Sequence, residues 1–415
     1  MSEWKEYKLS DLVTKLGDGL HGTPKYDPNG DYYFINGSNL INGKISVNEN
    51  TKKVTKEEFE KHKKVLTNRT IFVSINGTLG NIALYNDEKV VLGKSACYFN
   101  IKDDVSKEFI KYIVTDHSFQ HYIYEYATGS TIKNVPLKAI RDYTFKIPDL
   151  PTQTAIAEIL SSLDDKIELN NKINQELENL AQTLFKQWFI DFEFPNENGE
   201  PYKSSGGEMV DSELGEIPEG WEVGLLNKIA SLDKRNVKPY ENPEKQYFHY
   251  SLPDFDNGKK PSITNGKEIL SSKYKITPFS ILVSKLNPRI PRVWIITDCK
   301  ENSICSTEFQ VIKPKKIEYF SFICTLCSSD TFFDSLKSKV TGTSSSHQRV
   351  NPNDIINYKF PIPKDDIILK FESIISDVFI KKNNHIIENS SLILTRNTLL
   401  PKLISGELEI NEISN

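Results

Sequence analysis

A few short runs hold residue types that could do chemistry. Gly17-Asp18-Gly19-Leu20-His21-Gly22 fits G-x-G-x-x-G in form. A dinucleotide site needs a buried strand before that turn and a helix after it, so that backbone N–H groups and the helix dipole face the phosphates. Here "LSDLVTKL" precedes with an amphipathic, helix-like pattern, and the turn-rich "TPKYDPNGDYY" follows, so the run reads first as a structural turn. Cys324-x-x-Cys327 could be half of a zinc site, with Cys299 and Cys305 as the other half. Four-cysteine sites usually show two tight pairs. The second pair is too widely spaced, and the CxxC sits in an apolar helical pattern where buried free thiols are common. His117 and His121 have i,i+4 spacing but lack the Glu of H-E-x-x-H. "NPR" at Asn287 and "NPND" at Asn351 do not fit the Asn/Asp-Pro-Pro-aromatic motif of an amino-methyltransferase, and Asp298-Cys299-Lys300 lacks the upstream acidic partner of a nuclease motif. No catalytic residue, bound metal or cofactor of this chain is therefore expected.

What remains is recognition chemistry. Specific readout of nucleic acid needs Arg, Lys, Asn, Gln, Ser or Thr on loops facing base edges, with Lys and Arg also on phosphates. "INGTLGN" offers Asn76, Thr78 and Asn81, and "TGSTIKN" offers Thr131, Lys133 and Asn134. Later in the chain "KLNPRIPR" supplies Lys285, Arg289 and Arg292, and "TGTSSSHQR" supplies Ser346, His347, Gln348 and Arg349. The two later runs occupy the same places in a repeat as the two earlier ones but carry different side chains. Two readers of different DNA half-sites should look like this; ordinary polar turns are the alternative. The Gly17–Gly22 turn is a further candidate for positioning a DNA-facing loop.

The elements that must hold these loops are duplicated. "YTFKIP" (Tyr143 to Pro148) returns 215 residues later as "YKFPIP" (Tyr358 to Pro363). Trp4-x4-Leu9-x2-Leu12 matches Trp221-x4-Leu226-x2-Ile229, Val73-Ser74 matches Val283-Ser284, and Ser95 aligns with Ser306. A period this long means a duplicated domain rather than a solenoid. Each copy reads as a mixed α/β domain of short Val/Ile/Phe/Tyr-rich strands. One late helix ("SKEFIKYIVTDHSFQHYIYEYA"; "IEYFSFICTLCSSDTFFDSLKSKV") precedes a Thr-Gly turn, a short helix and a final strand ending in Ile-Pro.

After each copy comes a long helical pattern. Ile156, Leu160, Leu163, Ile167, Asn170, Asn174, Leu177, Ala181, Leu184 and Trp188 repeat at spacings of 4 and 3. The second pattern keeps the register more weakly through Phe371, Ile375, Val378, Lys382, His385, Asn389, Leu392, Arg396, Leu399 and Leu403. Such a heptad seam needs a partner helix. The other copy is the obvious one, each helix running roughly 57 Å at about 1.5 Å per residue. The interface expected between them is Leu163, Ile167, Asn170, Asn174, Leu177 and Leu184 against Val378, His385, Asn389, Leu392 and Leu399. In an antiparallel pair the polar centres Asn170/Asn174 and His385/Asn389 meet, and such buried polar residues often set register.

The expected fold is thus α/β (α+β): two globular mixed α/β domains separated by a pair of long antiparallel coiled-coil helices, with a pseudo-two-fold internal repeat. The expected boundaries are 1–149 for the first domain, 150–192 for its spacer helix, 193–222 for a Gly/Pro/Ser/Glu-rich linker, 223–363 for the second domain, and 364–415 for the distal spacer helix and tail. Charge follows that division. Residues 191–222 carry 1 Lys+Arg against 10 Asp+Glu, a net of −9, and residues 223–363 carry 21 against 13, a net of +8. Basic surface suits phosphates and acidic connectors stay off them. A mean hydropathy of −0.44 excludes a membrane protein. The absence of an apolar leader and the 5 cysteines, an odd number, point to the reducing cytoplasm.

At this point the residues themselves resemble a known family. "IPDLPTQTAIAEILSSLDDKIELNNKINQELENLAQTLFKQWFIDFEFPNENGEPYKSSGGEM" resembles the central conserved region of type I restriction–modification specificity subunits. "GDGLHGTPKY", "FINGSNLINGKI", "LGEIPEGWEV" and "LLPKLISGELEI" are similar to the same family. The resemblance implies a noncatalytic DNA sequence-specificity subunit. Each recognition domain reads one half of a bipartite, asymmetric site in double-stranded DNA. The spacers set the gap and dock two modification subunits, which use S-adenosylmethionine to methylate adenine. Restriction subunits add ATP- and Mg-dependent translocation and cleavage. The competing expectation is a helical scaffold with two protein-binding end domains.

Overall fold

The computed structural model describes residues 3–340 and 348–410. The chain forms two compact units, one of Met1–Asn170 with Ile387–Asn415 and the other of Asn171–Ile386. The division falls inside both long helices, Leu150–Phe185 and Asp365–Ser405. Each unit therefore contains one α/β head and a stretch of both helices.

In the first unit, strands run antiparallel in the order Val13–Asp18, Ala96–Ile101, Thr70–Ser74, Ile82–Leu84. The second unit has the same order in Ala230–Leu232, Phe309–Pro314, Ser280–Ser284, Val293–Ile296. Thr70–Ser74 and Ser280–Ser284 are buried along their whole length, as near-continuous β-branched and aromatic runs must be when both faces are covered. Each head also holds a parallel pair, Tyr32–Ile35 with Val90–Leu92 and Gln246–Tyr250 with Ser303–Cys305.

The repeated "YTFKIP" and "YKFPIP" are strands Thr144–Ile147 and Lys359–Ile362. Each pairs antiparallel with the strand that follows its own unit's Trp4 or Trp221, Lys5–Lys8 and Glu222–Leu225 respectively. Pro148 ends the first strand, and Asp149 accepts a hydrogen bond from the Thr152 N–H (2.9 Å) to start the helix.

Two sequence expectations give way. The single late helix of each copy is a pair, Lys107–Thr115 with His117–Glu125 and Phe320–Cys327 with Asp330–Lys337. Asp116 and Ser329 break the run because their side chains accept from N–H groups of the second helix, which starts a new first turn there. "LSDLVTKL" is a short 3-10 turn, Leu9–Leu12, followed by strand Val13–Asp18, because its second half completes the sheet edge beside Ala96–Ile101. Tertiary pairing overrides an amphipathic pattern of this length.

The segment expected as a linker, 193–222, carries a hairpin of Met209–Ser212 with Gly215–Pro218. Its Phe194, Ile217 and Trp221 are buried in the second unit's core.

The heads close onto the helices through apolar cores. In the first unit Ile156, Ala157, Leu160, Leu400 and Leu403 join the buried residues of the sheet and of the Lys107–Thr115 helix. In the second, Ala181, Phe185, Trp188, Phe189, Ile367, Ile368, Phe371 and Ile375 do so. The Phe189 ring lies edge-on to Phe322 (4.8 Å) and Phe371 (4.9 Å). Such pairs add about 0.5–1.5 kcal/mol each beyond burial. No helix among the described residues is long and apolar enough to cross a membrane.

Candidate nucleic-acid interface

The loops singled out from the sequence come together in pairs, built the same way in both units. In the first unit, strand Thr70–Ser74 turns back at Gly80, where the Gly80 N–H donates to the Ser74 carbonyl (2.9 Å) and the Asn81 N–H donates to Ser74 Oγ (2.8 Å). Gly77 and Gly80 take φ of +75° and +78°, a region that glycine enters without strain. In the second unit the Ser284 N–H donates to the Arg292 carbonyl (3.0 Å), and Ser284 Oγ accepts from the Leu286 N–H (3.1 Å). The buried serine that ends each Val-Ser strand thus ties down the loop after it.

The second loop of each unit is laced to the first by backbone. Gly77 N–H donates to the Lys133 carbonyl (3.0 Å), and Val135 N–H donates to the Ile75 carbonyl (2.8 Å). The matching bonds are Asn287 N–H to the Gln348 carbonyl (2.8 Å) and Val350 N–H to the Lys285 carbonyl (2.9 Å). Asn76 faces Asn134, and Leu286 faces Arg349, each across an isolated antiparallel bridge. Loops 58 and 63 residues apart in the chain therefore form one continuous rim per unit. That rim brings together all the described residues expected to touch nucleic acid; Ser346 and His347 lie outside the described residues.

The side chains on the two rims differ. In the first, Thr78 and Thr131 are exposed, and Asn76, Asn81, Lys133 and Asn134 are half-buried. Asn76 Nδ2 donates to Asn134 Oδ1 (3.1 Å), which orients both amides. Lys133 Nζ sits 3.4 Å from the centre of the Tyr124 ring and holds that phenol below the usual tyrosine range. In the second, Arg289 is exposed and Lys285 and Gln348 are half-buried. Arg292 makes a two-pronged pair with Asp256, Nε to Oδ1 at 2.7 Å and Nη2 to Oδ2 at 2.9 Å. Arg349 Nη2 reaches Glu308 Oε1 at 3.1 Å. These carboxylates fix the direction of two arginines before any partner arrives. Sequence reasoning missed Asp256, Glu308 and Tyr124, because nothing in their spacing to the loops signals contact.

The motifs that resembled metal or nucleotide sites have structural roles. Gly17 and Asp18 end a strand, and a Cβ on Gly19 would stand 2.2 Å from the Gly93 carbonyl oxygen, so the glycine serves a close strand approach. Cys324 and Cys327 are fully buried, and burial pushes both thiols up. His121 pairs with Glu125 at 3.1 Å. Among the described residues no group of three or more His, Cys, Asp or Glu converges as a metal site would.

The seam residues sit where the helices face each other within each unit, with residue numbers rising on one helix as they fall on the other. In the first unit Leu163, Ile167, Leu392 and Leu399 are half-buried, and buried Asn170 donates from Nδ2 to Asn389 Oδ1 (2.9 Å) and Glu388 Oε2 (2.8 Å). Asp164 binds Arg396 there, Nη1 to Oδ1 at 2.7 Å. In the second unit Leu177, Leu184 and Val378 are half-buried, Asn174 Oδ1 lies 2.9 Å from His385 Nδ1, and Lys382 pairs with Glu178.

Comparison with known proteins meets this geometry. Residues 1–179 match the family model for the type I restriction modification DNA specificity domain. The type I restriction enzyme MjaIX specificity subunit of Methanocaldococcus jannaschii is 25% identical, covering 99% of this chain and 95% of that protein. The HindI specificity subunit of Haemophilus influenzae is 24% identical, covering 98% and 100%. Residues 1–179 thus carry the type I restriction modification DNA specificity domain, and the chain is similar along nearly its whole length to specificity subunits of type I restriction enzymes. A crystal structure of such a subunit from M. genitalium shares the fold at a TM-score of 0.54 and 18% identity, over 97% of this chain and 96% of that one.

Proposed function

We propose that each loop rim reads one half of a bipartite, asymmetric site in double-stranded DNA, the first through residues of 1–149 and the second through residues of 223–363. The observation that carries this is the repeated rim: the same backbone bonds in both units, presenting Asn, Thr and Lys in one and Arg, Lys and Gln in the other. A shared scaffold with exchanged donors is what two readers of different base sequences require. The spacer segments 150–192 and 364–415 set the gap between the half-sites and dock two modification subunits. Those subunits supply S-adenosylmethionine-dependent adenine methylation, and restriction subunits supply ATP- and Mg-dependent cleavage, all in the cytoplasm. This chain's part is to choose the site.

The test is to express the chain with its modification partner and map methylated adenines across the host genome. A two-part motif is expected, and exchanging residues 1–149 for those of a relative should change one half of it. No motif, or a motif indifferent to that exchange, refutes the proposal.

A further inference from the structure

Helices His117–Glu125 and Asp330–Lys337 repeat position by position. Asp116 and Ser329 cap the helices; Phe119 and Phe332 are fully buried; Ile123 and Leu336 are buried one turn later; and Val135 and Val350 close the loop. On that framework Tyr124 stands where the second unit has Lys337, and Tyr126 where it has Lys339. Tyr124 is 59% exposed and Tyr126 53%. Lys337 and Lys339 are exposed as well. The buried positions keep their character while the exposed pair changes from two aromatic rings to two cations. Packing within the heads does not require that change, since all four side chains face solvent. A ligand that differs between the units would account for it.

We propose that Tyr124, supported by Tyr126, makes apolar contact with the first half of the DNA site, and that Lys337 and Lys339 meet phosphate at the matching place on the second half. The inference rests on reading the two units as DNA readers. A tyrosine ring offers an apolar face to a thymine methyl or to deoxyribose. It carries no charge, so it releases no counterion, whereas each lysine on a phosphate does. Tyr124 is pre-set for this: Lys133, on the rim itself, lies 3.4 Å from its ring centre, and the Tyr126 ring is 4.5 Å from Tyr122 on the same helix.

Binding of the complex with its modification subunits is measured by fluorescence anisotropy over a salt series. Three duplexes are used: the cognate site, one with the first half-site scrambled, and one with the second scrambled. Tyr124→Ala should weaken cognate binding about tenfold with an unchanged salt slope, and Tyr124→Phe should bind as the parent does. If Tyr124→Ala also becomes indifferent to scrambling the first half-site, the contact is to a base methyl. If it weakens every duplex alike, the contact is to sugar. Replacing Lys337 and Lys339 together by Ala should flatten the log–log salt slope by about two. An unchanged thermal midpoint confirms that each variant folds. Parent-like binding by Tyr124→Ala, in a complex that still discriminates both half-sites, overturns the inference alone. Failure of the parent complex to discriminate either half-site overturns the reading of the units, and this inference with it.

Discussion

Asp164 offers the sharpest test of how the first head is joined to the helices. Its carboxylate receives three partners from two elements: Arg396 Nη1 at 2.7 Å from one long helix, and the Tyr112 hydroxyl at 2.8 Å and Lys111 Nζ at 3.2 Å from helix Lys107–Thr115. Burial opposes the charge, yet Arg396, Lys111 and Tyr112 together hold the carboxyl below the ordinary aspartate range. The same burial, with the Asp164 contact, pushes the Tyr112 phenol up. Asp164→Asn keeps the shape and removes the charge. Hydrogen bonds to charged groups are worth about 1.5–3 kcal/mol, and stripping one partner from a fully buried pair costs about 3–5 kcal/mol. The Asp164 side chain is 24% exposed, so water screens part of this and about 2–3 kcal/mol is expected. For a unit of roughly 200 residues, each kcal/mol moves the midpoint by about 2–4 °C, giving a fall of about 4–12 °C. Differential scanning calorimetry at pH 7 measures it. The pH dependence adds a second constraint. Folding lowers this carboxyl's pKa, so its stabilisation is complete above the unfolded value of about 3.9 and is lost as pH falls through the lower folded value. The gap between parent and variant should therefore close on acidification below about pH 4. Equal midpoints at pH 7, or a gap that persists undiminished into acid, refutes the reasoning.

On the second rim, Arg289 is exposed while Arg292 is held by Asp256. Arg289→Ala should lower the log–log salt slope of DNA binding by about one. Arg292→Ala should leave that slope alone and destabilise the second unit by about 1–2 kcal/mol; the reverse assignment contradicts the geometry. Among the thiols, Cys97, Cys305, Cys324 and Cys327 are buried and Cys299 is half-buried. Burial pushes the Cys97 thiol up to about 12. A disulfide reagent at pH 8 should therefore modify about one thiol in the folded chain and all five after denaturation, and fast reaction of Cys324 or Cys327 would show that their helix is not packed as described.

Much of the fold was legible because the chain repeats itself. Matching "YTFKIP" with "YKFPIP" located two strands, since the two copies keep the same residue order, and the heptad spacing located two helices, since it is a local periodicity. The broken helices at Asp116 and Ser329 were not legible. A capping side chain and a mid-helix polar residue look alike in sequence, and only the position of the second helix shows which one is present. The candidate site was legible as two loops per copy. That Gly77 bonds Lys133, and Asn287 bonds Gln348, was not, because contacts across about sixty residues leave no periodic trace.

The sequence by itself determined the duplication, the polar donors in the two loops of each copy, the acidic segment 191–222 and the polar middles of both helices. Each is a matter of residue type and order along the chain. Tertiary structure decided what those residues face. It buried Phe194 and Trp221 of the acidic segment in the second unit's core, held Arg292 and Arg349 on carboxylates, and set Tyr124 beside Lys133. The reason is physical: apolar burial and hydrogen-bond satisfaction are settled among all neighbours at once. A side chain's direction is therefore a property of the packed whole, whereas its chemical type belongs to the sequence.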